Sequence, residues 1–302
     1  MGDVRDIGSL RTFFQASSED EVWVIHAAGI VTIAAKVDEN LRRVNVEGTR
    51  NIVRLCLETK VRRLLYISSV HALKERPRGE IIHEDDAFSP HAVTGAYAKT
   101  KAEATQIVLD AARNGLHVVV THPSGIIGPG DLGSNHSNQI FRDYLYGHLP
   151  AIVKGGYDFV DVRDVALGCL LALEKGRPGN CYILCNAHYE IRQLTDMLQK
   201  FSGIKRQLWM LPLWLVSAFA PLAEVLDRLR SQRPLFTSYS LYTLRTNDSF
   251  SSEKAKAELG YTTRPMEETM RDIVLWECEK HGPLPGKRPP RRAKAAMPVK
   301  GK

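Results

Sequence analysis

Nowhere does the chain carry a C-x-x-C pair or an H-E-x-x-H signature, which excludes the thiol and zinc chemistries those spacings serve. His26, His71, His91 and His136 stand at unrelated spacings, so no metal is expected. The five cysteines (Cys56, Cys169, Cys181, Cys185, Cys278) are odd in number, with Cys181 and Cys185 inside a strand-like CYILC. A reducing, cytoplasmic setting fits them best. Long apolar runs are also missing: the longest uncharged one, Leu208 to Ala223, contains Pro212 and Pro221 and falls short of the roughly 18 to 20 residues a spanning helix needs. The opening MGDVRDIGSLRTFFQ has acids and no apolar centre, which fits neither a signal nor a transit peptide. Charge excess is absent from the body. Of 41 Lys and Arg, seven lie in the last sixteen residues, and the other 34 balance the 34 Asp and Glu. The positive charge belongs to a Pro-rich tail, so no specific nucleic-acid partner is expected.

What remains is an alternating pattern. Val22 to Ala28 (VWVIHAA) is apolar on both pleat faces, and Leu41, Val44, Ile52, Val53 and Leu57 then recur at helical spacing across Asn40 to Lys60. Val61 to Val70 is a second apolar run, Tyr97 to Arg113 a second helix, and Leu116 to Thr121 a third run rich in valine. Val162 to Glu174 reads as helix and Tyr182 to Leu184 as strand. Strands alternating with helices predict an α/β fold whose parallel sheet is covered on both faces. Beyond Asn186 the segments Ile191 to Phe201, Leu213 to Leu229, Ser252 to Leu259 and Met266 to Lys280 read as helices. Three stretches are therefore expected: 1–185, a small mainly helical region 186–282, and a disordered basic tail 283–302.

Tyr97 and Lys101 lie four apart on one helical face, where an ammonium beside a phenol favours its ionised form. Such a tyrosine can exchange a proton with a substrate hydroxyl or carbonyl. Ser69 sits at the carboxyl end of the preceding strand, where open α/β sheets present site groups. Y-x-x-x-K alone is a common bland pairing on a solvated helix. Its weight comes from order: HAAG (His26 to Gly29), then Ser68-Ser69, then Tyr97 and Lys101, then HPSGIIGPG (His122 to Gly130).

Those residues, with Asn45-x-x-Gly48-Thr49-x-Asn51, YISSV, FVDVRDVA (Phe159 to Ala166) and KAKAELGYTTRP (Lys254 to Pro265), resemble an extended short-chain dehydrogenase/reductase of the epimerase/dehydratase superfamily, in its 3β-hydroxysteroid dehydrogenase and dihydroflavonol-reductase-like branch. The likeness spans about Gly2 to Trp276. It implies a Rossmann-like fold and NAD or NADP as cofactor. It further implies Tyr97 as acid/base, Lys101 on the nicotinamide ribose and lowering the Tyr97 pKa, Ser69 (with Ser68 as alternative) polarising the substrate oxygen, and Asn45 shaping the site. Ala27, Ala28 and Gly29 would line the cofactor, Asp3 and Val4 its adenine side, and Pro123 would pack near the nicotinamide. His122 is assigned to packing or capping, and Asp161 and Asp164 to capping a helix.

The sequence departs from that family in one respect. No strand, Gly-rich turn and phosphate-binding helix precede the first run; Gly125/Gly128 and Gly130/Gly133 follow a later strand. The chain thus reads as N-terminally truncated by roughly 60 residues, two strand and helix units of about 30 each. Val22 to Ala28 would then be an apolar edge, a template for aggregation. The expectation is a chain that is unstable, that borrows a strand, or that is a mis-started copy of a longer protein, the last being preferred.

For function, the reading is hydride transfer between NAD(P) and a hydroxyl or ketone of an apolar, steroid-, flavonoid- or terpenoid-like small molecule. Trp209 and Trp214 and the scarcity of charge in Leu208 to Leu226, with no arginine pair to clamp phosphate, favour that over a sugar nucleotide. The alternatives are a nucleotide-sugar epimerase or dehydratase, and a non-catalytic scaffold that has lost its cofactor. Peripheral membrane contact is the lesser reading of this stretch because no Lys/Arg-flanked polar face accompanies it. A homodimer is compatible with the pattern.

Overall fold

The computed structural model describes residues 2–15, 21–32, 36–85, 87–132, 136–213, 216, 242–243 and 245–285. Most of the helix expected over Leu213 to Leu229, and the basic tail from residue 286, lie outside the described residues. In chain order the elements are α1 (Ile7–Leu10), β1 (Trp23–His26), α2 (Glu39–Arg42), α3 (Gly48–Glu58), β2 (Arg63–Ile67), α4 (Ala96–Arg113), β3 (Val118–Pro123), β4 (Gly125–Ile127) and α5 (His136–Tyr146). Then come β5 (Ala151–Val153), β6 (Gly156–Asp161), α6 (Val162–Lys175), β7 (Asn180–Leu184), β8 (Ala187–Glu190), α7 (Ile191–Ser202), β9 (Trp209–Leu211), α8 (Glu253–Leu259) and α9 (Met266–His281).

The central sheet is parallel throughout, in the order β1-β2-β3-β7, with Ile25 opposite Leu65, Leu65 opposite Val119 and Val120 opposite Cys181. The inner strands β2, β3 and β7 are largely apolar and buried because helices cover both faces, while β1 exposes Trp23 and Ile25. Leu64, Tyr66, Val118, Val120, Cys181 and Ile183 pack towards α3 and α4. Their neighbours Leu65, Val119, Tyr182 and Leu184 point the other way, onto α6 and α8. The fold is Rossmann-like and α/β, as the alternating pattern predicts.

A second core joins Ile127, Phe141, Tyr144 and Phe159 to Leu194 and Leu198 of α7 and to Met270 and Val274 of α9. It draws on both sides of residue 185. The region after Asn186 also contains strands. β8 pairs antiparallel with β6, which runs parallel to β4, and β9 pairs with β5. These strands are three or four residues long, too short for period-2 alternation to show against the helical segments around them. Leu284 is buried in the second core, so ordered chain continues past residue 282, where the tail was expected to begin.

Local chemistry accounts for the helix ends that matter. Asp38 accepts the Leu41 N–H at 2.7 Å ahead of α2, and Asp161 accepts the Arg163 N–H at 2.8 Å ahead of α6. The α4 start instead relies on Gly95, whose φ of 99° a side chain would strain. Between α2 and α3 the helix opens into a π-turn, Arg43–Glu47.

Candidate functional site

Helix α4 and the end of β2 bring Tyr97, Lys101 and Ser69 into one buried group. The Ser69 hydroxyl lies near enough to the Tyr97 phenol to pull its pKa down against burial. Ser69 Oγ also accepts the His71 N–H at 3.3 Å, capping a short turn over Val70–Ala72. The main chain there is pinned from β3: His122 Nδ1–H donates to the Ser69 carbonyl at 2.9 Å while its ring stacks on Phe88. His122 is a packing residue in this arrangement. Ser68 turns behind the helix, its hydroxyl 2.7 Å from Thr105 Oγ1, so Ser69 is the serine that faces Tyr97.

Lys101 is spaced from Tyr97 as the sequence predicts, but its ammonium is held elsewhere. Nζ donates to the Ile67 carbonyl at 2.7 Å and lies 4.9 Å from the centroid of the Tyr66 ring. Burial lowers the Lys101 pKa to about 8. Burial also pushes the Tyr97 phenol up to about 12. The depression of the phenol expected from Lys101 does not figure here: desolvation raises the phenol and Ser69 is what pulls against it. Tyr97 carries its proton at neutral pH.

Asn45 occupies the π-turn, a distortion that often marks functional sites. Its Nδ2 donates to the Ile30 carbonyl at 3.0 Å and to Thr100 Oγ1 at 3.1 Å, and its Oδ1 accepts the Ile30 N–H at 2.7 Å. This fastens the loop after β1 to α4. Gly29 lies against the same group: a Cβ there would stand 3.4 Å from Asn45 Oδ1 and 3.7 Å from Lys101 Nζ. Ala27, Ala28 and Gly29 are exposed at the carboxyl end of β1.

Asp3 and Val4 are placed apart from this cluster. Val4 packs on Gly48 and its carbonyl accepts from Asn51 Nδ2 at 2.8 Å; Asp3 is an exposed carboxylate held by the Arg5 fork and lowered to about 2. Pro123 is buried at the end of β3, opposite Leu184.

These residues fit the nicotinamide-ribose end of a dinucleotide. Lys101 is a buried ammonium with three donors and one hydrogen-bond acceptor among the described residues, beside an exposed small-residue loop, which suits a ribose diol. Among the described residues no His, Cys, Asp and Glu cluster could hold a metal, and no helix is long and apolar enough to cross a membrane.

His71, whose ring meets that of Tyr97, lines a cavity of about 210 Å³ that the sequence did not foretell. Its inner wall is His71, Tyr157 and Phe250, with Val70, Leu73 and Ile82 beneath. Its rim carries Lys74, Arg76, Arg78 and Arg245 against a single carboxylate, Glu75. Glu75 is already engaged by the Tyr242 hydroxyl at 2.6 Å and the Thr94 N–H at 3.1 Å. Arg76 reaches Asp85 at 3.4 Å, and Arg78 Nε–H donates to the Arg245 carbonyl at 3.0 Å. The missed signal was His71, two residues past Ser69; the rim arginines come from loops far apart in sequence.

The chain was compared with known proteins. A model of the NAD dependent epimerase/dehydratase family matches residues 1–185. Sterol demethylase protein B of Methylococcus capsulatus is 30% identical over 92% of this chain and 84% of its own length. Human 3 beta-hydroxysteroid dehydrogenase type 7 is 29% identical over 84% of this chain and 75% of its own. The crystal structure of gox2253 superposes with a TM-score of 0.77 at 32% identity, covering 94% of this chain and 84% of that one. With the family model covering more than half of its residues and a 30% identical relative aligned along nearly all of them, the chain belongs to the NAD-dependent epimerase/dehydratase family.

Proposed function

We propose that this enzyme transfers hydride between NAD(P) and a hydroxyl or ketone on an apolar, ring-bearing substrate, with Tyr97, Ser69 and Lys101 as its catalytic residues. The observation that carries the reading is the shared burial of Ser69, Tyr97 and Lys101, with Ser69 close enough to act on the Tyr97 phenol and Lys101 one turn along. When bound, the nicotinamide supplies or accepts the hydride. In the reducing direction Ser69 O–H donates a hydrogen bond to the substrate carbonyl oxygen, and Tyr97 O–H gives that oxygen its proton. The phenolate left on Tyr97 is steadied by Ser69 and by the Lys101 charge. A phenol held at about 12 is a weak acid, yet still far stronger than the alcohol it forms, so the proton moves downhill. Asn45 holds the loop of Ala27 to Gly29 where the cofactor would lie. The five free cysteines suit a reducing compartment such as cytoplasm.

The aromatic and aliphatic cavity wall favours an apolar ring system, in keeping with relatives named for sterols and hydroxysteroids. One observation favours a second reading. The cationic rim of Arg76, Arg78 and Arg245 suits a phosphorylated substrate, such as the sugar nucleotide of an epimerase or dehydratase. Calorimetric titration with NADH and NADPH, followed by absorbance assays on steroid ketones, flavonoid ketones and sugar nucleotides, separates the cases. Turnover of ring ketones that Tyr97→Phe abolishes supports hydride transfer, whereas turnover of sugar nucleotides alone moves the assignment to the second reading. A folded sample that binds neither cofactor removes both and leaves the non-catalytic scaffold.

A further inference from the structure

His71 has no part in the family pattern above, yet it touches both Ser69 and Tyr97. Its N–H donates to Ser69 Oγ at 3.3 Å. Its ring meets the Tyr97 ring edge to face, with centroids 6.1 Å apart and planes at 74°. The opposite side lies flat on Tyr157, at 5.8 Å and 11°, and Tyr157 in turn meets Phe250 at 6.1 Å and Phe159 at 6.2 Å. An unbroken train of rings thus runs from Tyr97 to the cavity wall on β6. We propose that His71 is a positioning residue for hydride transfer, holding the Tyr97 ring through its imidazole and the Ser69 hydroxyl through its backbone, and so linking both to the cavity that it lines.

The inference rests on the hydride-transfer reading, and its physical basis is rotational. A tyrosine hydroxyl is fixed only if its ring is fixed, and α4 anchors Tyr97 at Cα alone. An edge-to-face contact adds attraction beyond simple burial and favours one ring orientation. Displacing a reacting group by about 1 Å can cost about 100-fold in rate. Burial pushes the His71 pKa down to about 4, so the ring is neutral at pH 7 and packs as an aromatic. Flatness, not charge, is the property the site uses, and phenylalanine should replace histidine where leucine cannot.

The test uses His71→Leu and His71→Phe in the full chain labelled with 3-fluorotyrosine, the Tyr97 fluorine resonance being the one lost in Tyr97→Phe. His71→Leu should shift and broaden that resonance and lower kcat by about 10- to 100-fold with little change in KM, while His71→Phe should restore a sharp line and most of the rate. An unmoved Tyr97 resonance in a folded His71→Leu protein overturns the proposal, as does a His71→Phe protein that is folded yet as impaired as His71→Leu. If the wild type turns over no ketone, the hydride-transfer reading falls, and the fluorine spectra alone still decide whether His71 positions Tyr97.

Discussion

Asn45 grips Ile30 at both ends of one peptide-like pair: its Oδ1 takes the Ile30 N–H at 2.7 Å and its Nδ2 gives to the Ile30 carbonyl at 3.0 Å. The side-chain amide thereby acts as a one-residue strand partner for the loop that follows β1. A third bond, to Thr100 Oγ1, ties that loop to the helix of Tyr97 and Lys101. A regular α-helix would leave Asn45 on a different bearing; the π-turn rotates it into place.

Asn45→Ala should therefore cost about 2 kcal/mol in stability, since it strands backbone and hydroxyl partners together. Urea denaturation measures the loss. Asn45→Asp should recover only the Ile30 N–H contact and so fall between the two.

For the catalytic proposal, Tyr97→Phe should lower kcat by about 1,000-fold and Ser69→Ala by about 100-fold, while each keeps a near-native melting temperature. Single-turnover rates with the best ketone of the panel provide the check. A Tyr97→Phe enzyme within tenfold of wild type would refute the acid/base role.

Stability should fall on the acid side. Burial holds His26 at about 3 and His71 and His122 at about 4, below their ordinary 6.5. The unfolded chain therefore takes up protons first, and the stability present above pH 6.5 is lost as pH drops towards 4. Each histidine contributes about 1.4 kcal/mol per pH unit well inside that window. Urea midpoints at pH 7.5, 6.0 and 5.0 should decline steeply, and a flat profile would show that these rings are not buried.

Asp158 works in the opposite sense. Burial, with Asp248 nearby, lifts it from 3.8 to about 6, so the folded state gains relative stability as pH falls from 6 to 4 and bears the cost of an ionised buried carboxyl above pH 6. Asp158→Asn should raise stability at pH 7.5 by about 2 to 3 kcal/mol and leave it unchanged at pH 3.5. Paired melts of the two proteins at those pH values test this.

Strand β1 ends the described sheet with Trp23 and Ile25 both more than 40% exposed, on the same pleat face. Ile25→Lys should reduce light scattering on concentration and on mild heating, since a charge on an edge opposes strand addition. Trp23 is less suitable because the Arg63 guanidinium lies over its ring at 5.4 Å.

The parallel sheet was legible in the chain because strands covered by helices are apolar in short continuous runs, and VWVIHAA, RLLYI and LHVVVT are such runs alternating with helical segments. Helix α4 was legible through its period, and that same period put Tyr97 and Lys101 on one side. Local spacing therefore determined the α/β class and the order of its elements, and put Tyr97 and Lys101 on one helical face, whereas Asn45 was named only through the family resemblance. Three things depended on tertiary packing. The balance of burial and charge at Tyr97 follows from what surrounds it, and a linear pattern holds no measure of desolvation. The different partners of the two serines, Thr105 for Ser68 and the His71 N–H for Ser69, follow from where α4 and the turn after β2 lie. The cavity wall joins His71 to Tyr157 and Phe250, residues 86 and 179 positions further along the chain, through contacts that only the folded sheet and its crossing loops create.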